Sequence, residues 1–239
     1  MKVINDLLGY KNLKIVQDTD WFSFSLDSVL LPNFVTLNKN VKKILDIGTG
    51  NAPIPLILST KTDAEIYGIE IQKEVYEMAR ETIELNSLES KIKLINDDVN
   101  EIDKYFKPET FDVILSNPPY FKLNGKSKLN EVNTKAIARH EILLTLDQLL
   151  TVSSKLLKNK GKFAMVHRVD RLTEILSLMK ERNIEPKRIK FIFPKENTTS
   201  NLFLVEGVKN ANSGIKTISY IIVHTENGKY TEEVMKCFE

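Results

Sequence analysis

The stretch that decides the fold is Ile44-Leu45-Asp46-Ile47-Gly48-Thr49-Gly50-Asn51-Ala52-Pro53. Aliphatic residues lead into two glycines, which permit positive φ and let a ligand approach the backbone closely. Pro53 then suits a first helical turn, where its missing N–H is no loss. The segment reads as strand, tight turn and helix start. In open α/β sheets ligands settle beyond the carboxyl ends of strands, where this loop falls.

Outward from that loop, short β-branched runs alternate with helical patterns. Predicted strands are Lys43–Ile47, Glu65–Glu70, Lys91–Ile95, Phe111–Ser116, Lys162–His167, Arg188–Phe193 and Asn201–Gly207. Predicted helices lie near Ala52–Ser59, Gln72–Asn86, Leu146–Leu157 and Asp170–Asn183. Nearly continuous apolar strands alternating with helices imply an α/β fold, a doubly wound, mainly parallel, seven-stranded sheet covered on both faces. No convincing helix separates the last two strands, so an antiparallel hairpin is expected to close that edge. Residues 1–40 read as a short N-terminal extension packed on the core, with Leu13–Gln17, Trp21–Ser25 and a helix over Asp27–Phe34 for which Asp27 is a candidate N-cap. Residues 41–239 form the main part of a single domain, ending in a strand at Thr217–Val223, a turn at Asn227-Gly228 and a short helix from Thr231.

Composition bounds the function. The 239 residues are 42% apolar and 28% charged, which excludes disorder, collagen-like repeats and a disulfide scaffold. No apolar run approaches the ~18 residues of a membrane helix and no signal segment opens the chain. Cys237 has no second cysteine to bridge, so a cytoplasmic protein is expected. The net charge of +2 hides an imbalance: residues 151–195 carry twelve Lys or Arg against four Asp or Glu. Such a face either recruits phosphate backbones through counterion release or is a solvated lysine surface, and charge alone leaves both open.

Glu70, twenty residues after Gly50, ends the second strand, where a carboxylate accepts hydrogen bonds from two ribose hydroxyls. Two cofactors compete for such a site. A dinucleotide fingerprint needs a third glycine where Pro53 stands. Asp46 before the turn repels a pyrophosphate but attracts a methionyl ammonium, so S-adenosylmethionine (SAM) is favoured. Asp98 either hydrogen-bonds the cofactor's adenine amine or, with Asp97, caps a helix.

The buried-strand pattern Phe111–Ser116 runs directly into Asn117-Pro118-Pro119-Tyr120. Two prolines fix φ, remove two N–H donors and hold the preceding residue extended, making a stiff ledge at the strand's end. Asn117 offers a side-chain carbonyl, Pro118 a backbone carbonyl and Tyr120 an aromatic face. That set suits a planar amino group on an sp² carbon. Accepting both of its hydrogens frees the nitrogen lone pair for attack on a methyl group, so catalysis rests on positioning and electrostatics without metal or histidine base.

These residues resemble the class I, Rossmann-like SAM-dependent amino-methyltransferases. Trp21–Leu31, Ala138-Arg139-His140-Glu141 and Asn227–Thr231 narrow the resemblance to the bacterial tRNA(Val) adenine N6-methyltransferases. The resemblance implies transfer to the exocyclic N6 of the adenine beside the anticodon, position 37, with S-adenosylhomocysteine as product. It implies catalytic roles for Asn117, Pro118 and Tyr120, and cofactor contacts from Asp46, Gly48, Gly50, Glu70, Asp98 and Asn117. Ala52 departs from the family's loop, which usually has a third glycine there. The alternative substrate is a glutamine of peptide release factors, whose methyltransferases share Asn-Pro-Pro-Tyr but carry a sizeable helical N-terminal domain.

His140, His167 and His224 show no ligand spacing, so no metal is expected. A monomer acting on the tRNA anticodon arm is the expected assembly, with no membrane partner. Lys122, Lys126, Lys128 and Arg139, in a long basic loop, and Lys187 and Arg188, in a second basic run, are the candidate RNA contacts. Replacing Lys122, Lys126 and Lys128 by Ala is expected to weaken tRNA binding and make its salt dependence less steep. Filter-binding titrations across salt concentrations check this; unchanged affinity at every concentration counts against it.

Overall fold

The computed structural model describes residues 1–18, 25–118 and 144–238. Strand β3 (Lys43–Ile47) is the centre of the molecule, buried on both faces and parallel to β4 (Glu65–Ile69) on one side and β6 (Phe111–Ser116) on the other. Beyond β4 lies β5 (Ile92–Ile95), and beyond β6 lies β7 (Leu157–Arg168). The far half holds β8 (Ile184–Phe193), β9 (Leu202–Lys209) and β10 (Thr217–Ile222), giving eight strands in the order β10-β8-β9-β7-β6-β3-β4-β5. Only β9 runs antiparallel to its neighbours.

Alternation along the strands builds two cores. Ile44, Val113, Leu115, Ala164, Val166 and Leu204 face one layer, with α1 (Asp27–Phe34), α2 (Pro53–Ser59) and α3 (Lys73–Leu85) packed on it. Leu45, Ile47, Ile114, Phe163, Met165, Phe203 and Val205 face the other, covered by α4 (Leu146–Leu156) and α5 (Leu172–Glu181). Helix α4 starts on a capping box in which Thr145 and Gln148 satisfy each other's backbone N–H groups.

Three expectations are corrected. Among the described residues the sheet has eight strands, not seven. Thr217–Ile222, read as a flank, pairs in parallel with β8, so the antiparallel β8–β9 pair lies inside the sheet and β10 forms the edge. An unpaired β8 would have left a row of exposed backbone donors and acceptors, which β10 takes up. Asp27 is not the N-cap of α1: Leu26 holds that position without a side-chain cap, and the carboxylate accepts from the Ser25 hydroxyl at 3.1 Å. Backbone carbonyls do the capping there, Ser25 O accepting from Ser28 N–H and Leu26 O from Val29 and Leu30 N–H. The short helix expected from Thr231 is present as α6 (Glu232–Met235), with Thr231 as its N-cap.

The extension also holds an antiparallel hairpin, β1 (Lys2–Leu7) and β2 (Tyr10–Asp18), against α3. Val16 N–H donates to Thr82 Oγ1 and Val16 O accepts from Asn51 Nδ2 of the glycine loop. Trp21–Phe24 of the resemblance segment lie outside the described residues. Among the described residues no helix is long and apolar enough to cross a membrane.

The carboxyl end of α1 is held by a polar clamp. Glu206 of β9, 2% exposed, accepts from Thr36 N–H at 2.6 Å and Thr36 Oγ1 at 2.9 Å. Arg188 of β8 donates to the same carboxylate at 3.2 Å and to Phe34 O at 3.0 Å, its guanidinium 4.5 Å from the Phe34 ring centroid. Removing the cation strands a buried anion, a loss of about 3 kcal/mol or more. Arg188→Ala is therefore expected to lower the urea midpoint accordingly, and Arg188→Lys to recover only part because an ammonium cannot stack on the Phe34 ring as the planar guanidinium does.

Candidate active site

The register of the central strands sets the site. Ile47 pairs with Ile69 on β4 and with Ser116 on β6, so Gly48, Glu70 and Asn117 are each the first residue past one paired row. The row continues in backbone bonds: Gly48 N–H and Thr49 N–H both donate to Ile69 O, and Glu70 N–H donates to Ile95 O. A cleft open to solvent lies over these ends, lined by Ile47, Gly48, Ile69, Glu70, Ile71, Asp97, Asp98, Val99 and Leu144.

Gly48 and Gly50 adopt φ of 72° and 60°, and an added Cβ would meet nothing within 4 Å at either, so the loop offers bare backbone to the space above it. Ala52 is left-handed too, at φ 69°, and fully buried. The loop's missing third glycine therefore matters through backbone strain, about 1–2 kcal/mol for an L-residue, rather than through the volume of a methyl group. Glu70, almost fully buried, braces the loop: Oε2 accepts from Gly50 N–H at 3.1 Å and Oε1 from Gln72 N–H at 2.9 Å. Each oxygen keeps a second lone pair for a ligand hydroxyl.

Asp46 is fully buried beneath the loop and is not among the cleft-lining residues. Its Oδ2 accepts from Thr49 Oγ1 at 2.8 Å, and its Oδ1 has no hydrogen-bond partner among the described residues. Burial, with the Glu70 charge adding to it, pushes its carboxyl up to about 7, against the Thr49 hydrogen bond. Asp98 lines the cleft and also caps: its Oδ1 accepts from Asn100 N–H at 2.8 Å at the head of the 3-10 turn Val99–Lys104. Asp97, also in the lining, accepts from the Tyr105 hydroxyl and from Asp98 N–H, which hold its carboxyl below the usual range.

Asn117 and Pro118 follow β6, Asn117 one residue past the Ile47–Ser116 pair, and neither is among the residues lining the cleft. Asn117 Nδ2 donates to Ser28 Oγ on α1 at 3.1 Å, and Ser116 Oγ donates to Ile47 O at 2.9 Å, tying the strand end to β3. Pro119, Tyr120, Lys122, Lys126, Lys128, Arg139 and His140 lie outside the described residues. Lys187 and Arg188 stand in β8, four strands across the sheet from β3, with Arg188 in the same row as Asp46 through Glu206, Ala164 and Leu115. Lys187 is bonded to the carbonyls of Asn212 and Gly214, and Arg188 to the clamp on α1. His167 is fully buried at the end of β7, its Nδ1 accepting from Arg168 N–H, and burial drives its pKa down to about 4, so it is neutral. Among the described residues no three His, Cys, Asp or Glu side chains group to hold a metal.

Sequence reasoning passed over Ser28, Thr49, Gln72 and Asn51. Ser28 carries the clearest signal, a small polar residue opening the apolar run Val29-Leu30-Leu31. The donor and acceptor set fits a nucleoside bearing an amino acid: bare backbone at Gly48 and Gly50, a carboxylate pair of lone pairs at Glu70, an acid at Asp98, and an unpartnered buried oxygen at Asp46.

Residues 38–222 match the family model described as a methyltransferase domain. The chain is 27% identical over 231 residues to a tRNA1(Val) (adenine(37)-N6)-methyltransferase of Parabacteroides distasonis, covering 96% of this chain and 94% of that one. It is 31% identical over 189 residues to the tRNA1(Val) (adenine(37)-N6)-methyltransferase of Trichodesmium erythraeum, covering 74% and 76%. Among solved structures, one described as a predicted O-methyltransferase from Agrobacterium tumefaciens shares the fold, with a TM-score of 0.72, 19% identity, and 89% and 95% of the two chains covered.

The Asp46 carboxyl titrates near 7 when folded against 3.8 when exposed, so the folded state holds its proton across that window. Its contribution to stability is full below about 4 and is lost as pH rises to about 7. In ligand-free protein, Asp46→Asn is expected to flatten that decline. Urea midpoints of both proteins across this range check it; parallel profiles would show that Asp46 does not titrate there.

Proposed function

Because the chain belongs to the methyltransferase-domain family, and within it to the tRNA1(Val) (adenine(37)-N6)-methyltransferases, we propose that it methylates the exocyclic N6 of adenine 37 in tRNA. Its cofactor is SAM, which supplies an electrophilic methyl group on a sulfonium sulfur. The observation that carries the reading is the shared row of Gly48, Glu70 and Asn117, which sets a nucleoside-binding loop beside an amide acceptor on adjacent strands.

Glu70 accepts the ribose hydroxyls and Asp98 the adenine amine of the cofactor, while Gly48 and Gly50 give the methionyl part room against the backbone. Asp46, once ionised, stabilises the methionyl ammonium through its charge from beneath the loop. Asn117 Oδ1 and the Pro118 carbonyl accept the two N6 hydrogens of the target adenine and hold the nitrogen in line with the methyl group. Bound there, SAM would supply its methyl group to the nitrogen and leave as S-adenosylhomocysteine, and the surplus proton on the methylated nitrogen would pass to water. Tyr120 stacks on the extruded base, whose unstacking costs a few kcal/mol. Lys122, Lys126, Lys128 and Arg139 bind the anticodon arm. Lys187 and Arg188 are left out of the RNA surface because their donors serve the fold. The enzyme works as a cytoplasmic monomer, without a metal.

Asn117→Ala is expected to cut turnover by about 10²-fold or more, the scale for losing a preorganised polar contact to the reacting group, while SAM affinity changes less than about tenfold. Transfer of labelled methyl from SAM, assayed separately with total tRNA and with a peptide release factor, tests both chemistry and substrate. Near-normal turnover by the variant removes Asn117 from the mechanism, and label appearing on the release factor alone replaces the tRNA reading with glutamine methylation.

A further inference from the structure

We propose that Ser28 is a positioning residue for the reaction: its hydroxyl anchors the Asn117 amide and so sets the orientation of the acceptor that receives the substrate amine. The inference rests on the role given to Asn117 above. Asn117 Nδ2 donates to Ser28 Oγ at 3.1 Å, across 89 residues of sequence. The carbonyl arm of a planar amide lies about 120° from its amino arm, so an amino group held against α1 turns the carbonyl oxygen away from that helix. Ser28 is 6% exposed, packed in the first turn of α1 beside the fully buried Val29 and Leu31. A hydroxyl in such a place is costly unless paired, and Asn117 pairs it.

Helix α1 is a firm base for this contact. Its last turn is tied to the sheet through Phe34 O, Thr36, Arg188 and Glu206. It is also tied to the C-terminal segment, where Asn33 Nδ2 donates to Cys237 O at 3.1 Å; the same amino group donates back to Val29 O within the helix at 2.8 Å. Asn117 has the rigidity of a diproline segment on its C-terminal side, but χ2 of an Asn side chain is a broad, soft torsion. Ser28 restrains that torsion from the side of α1, which the prolines cannot do. An amide rotated out of place would present N–H to the substrate's own N–H groups, removing one acceptor and opposing two donors.

Two replacements separate this role from a merely structural one. Ala and Gly both remove the hydroxyl, yet they differ by about 1 kcal/mol in helix propensity in the opposite sense to any shared chemical effect. Ser28→Ala and Ser28→Gly are expected to lower kcat alike, by about 3–10-fold, the scale of losing one orienting hydrogen bond. KM for tRNA and the calorimetric Kd for SAM should stay within about threefold of the unmodified protein in both, while Tm falls in the Gly variant alone. A Ser28→Ala enzyme with unaltered kcat overturns the proposal, as does a kcat loss confined to the Gly variant that follows its Tm. Asn117→Ala serves as the reference. If that variant retains turnover, the role of Asn117 itself fails; if it is inactive and both Ser28 variants are normal, only the positioning role fails.

Discussion

Everything at the cleft depends on the parallel register of three strands. Because Ile47 sits opposite both Ile69 and Ser116, the residues that follow them leave the sheet in one line, spaced by about 4.8 Å per strand. The hydrogen-bonded ladder delivers Gly48, Glu70 and Asn117 to one side together, and no loop has to bring them there. A slip of one residue on any of the three strands would turn its buried face toward the wrong layer. The two apolar layers therefore enforce the site's geometry: Ile44 and Leu45, adjacent in sequence, belong to opposite cores.

The cost of this arrangement is polar groups kept under an apolar roof. Asp46 and Glu70 are both buried, and they raise each other's energy when both are ionised. The protein lowers that cost with short-range partners: Thr49 for Asp46, and the N–H groups of Gly50 and Gln72 for Glu70. Those same bonds shape the loop, so the carboxylates serve as its struts as well as its ligand groups. Ala52 adds a left-handed residue without the usual freedom of glycine. A strain of about 1–2 kcal/mol persists there because Asn51, next to it, is fastened to Val16 of the hairpin.

Much of this was readable from local sequence. Strands β3 to β6 and the helices between them carry their own periodicity, and their bounds fell within a few residues of expectation. What was hidden is long-range. Nothing in Thr217–Ile222 says which strand it joins, since the edge of β8 is created only when the sheet assembles. Lys2–Leu7 alternates weakly and becomes a strand by pairing with β2. Arg188 looks like a surface cation in sequence because its anion, Glu206, arrives on another strand. Asp27 drew attention as an acid before an apolar run, yet the neighbouring Ser28 makes the contact to Asn117, and contacts between residues 89 apart leave no local trace.

The clamp on α1 carries a consequence for biosynthesis. A ribosome releases residues 27–36 early, but their anchors at Arg188, Glu206 and Cys237 emerge last. During translation the nascent polypeptide can form β3, β4 and the glycine turn while α1 still lacks its moorings. The pocket for the nucleoside thus matures ahead of the ledge, and a truncated polypeptide ending before β9 would retain a cradle with its acceptor poorly aimed.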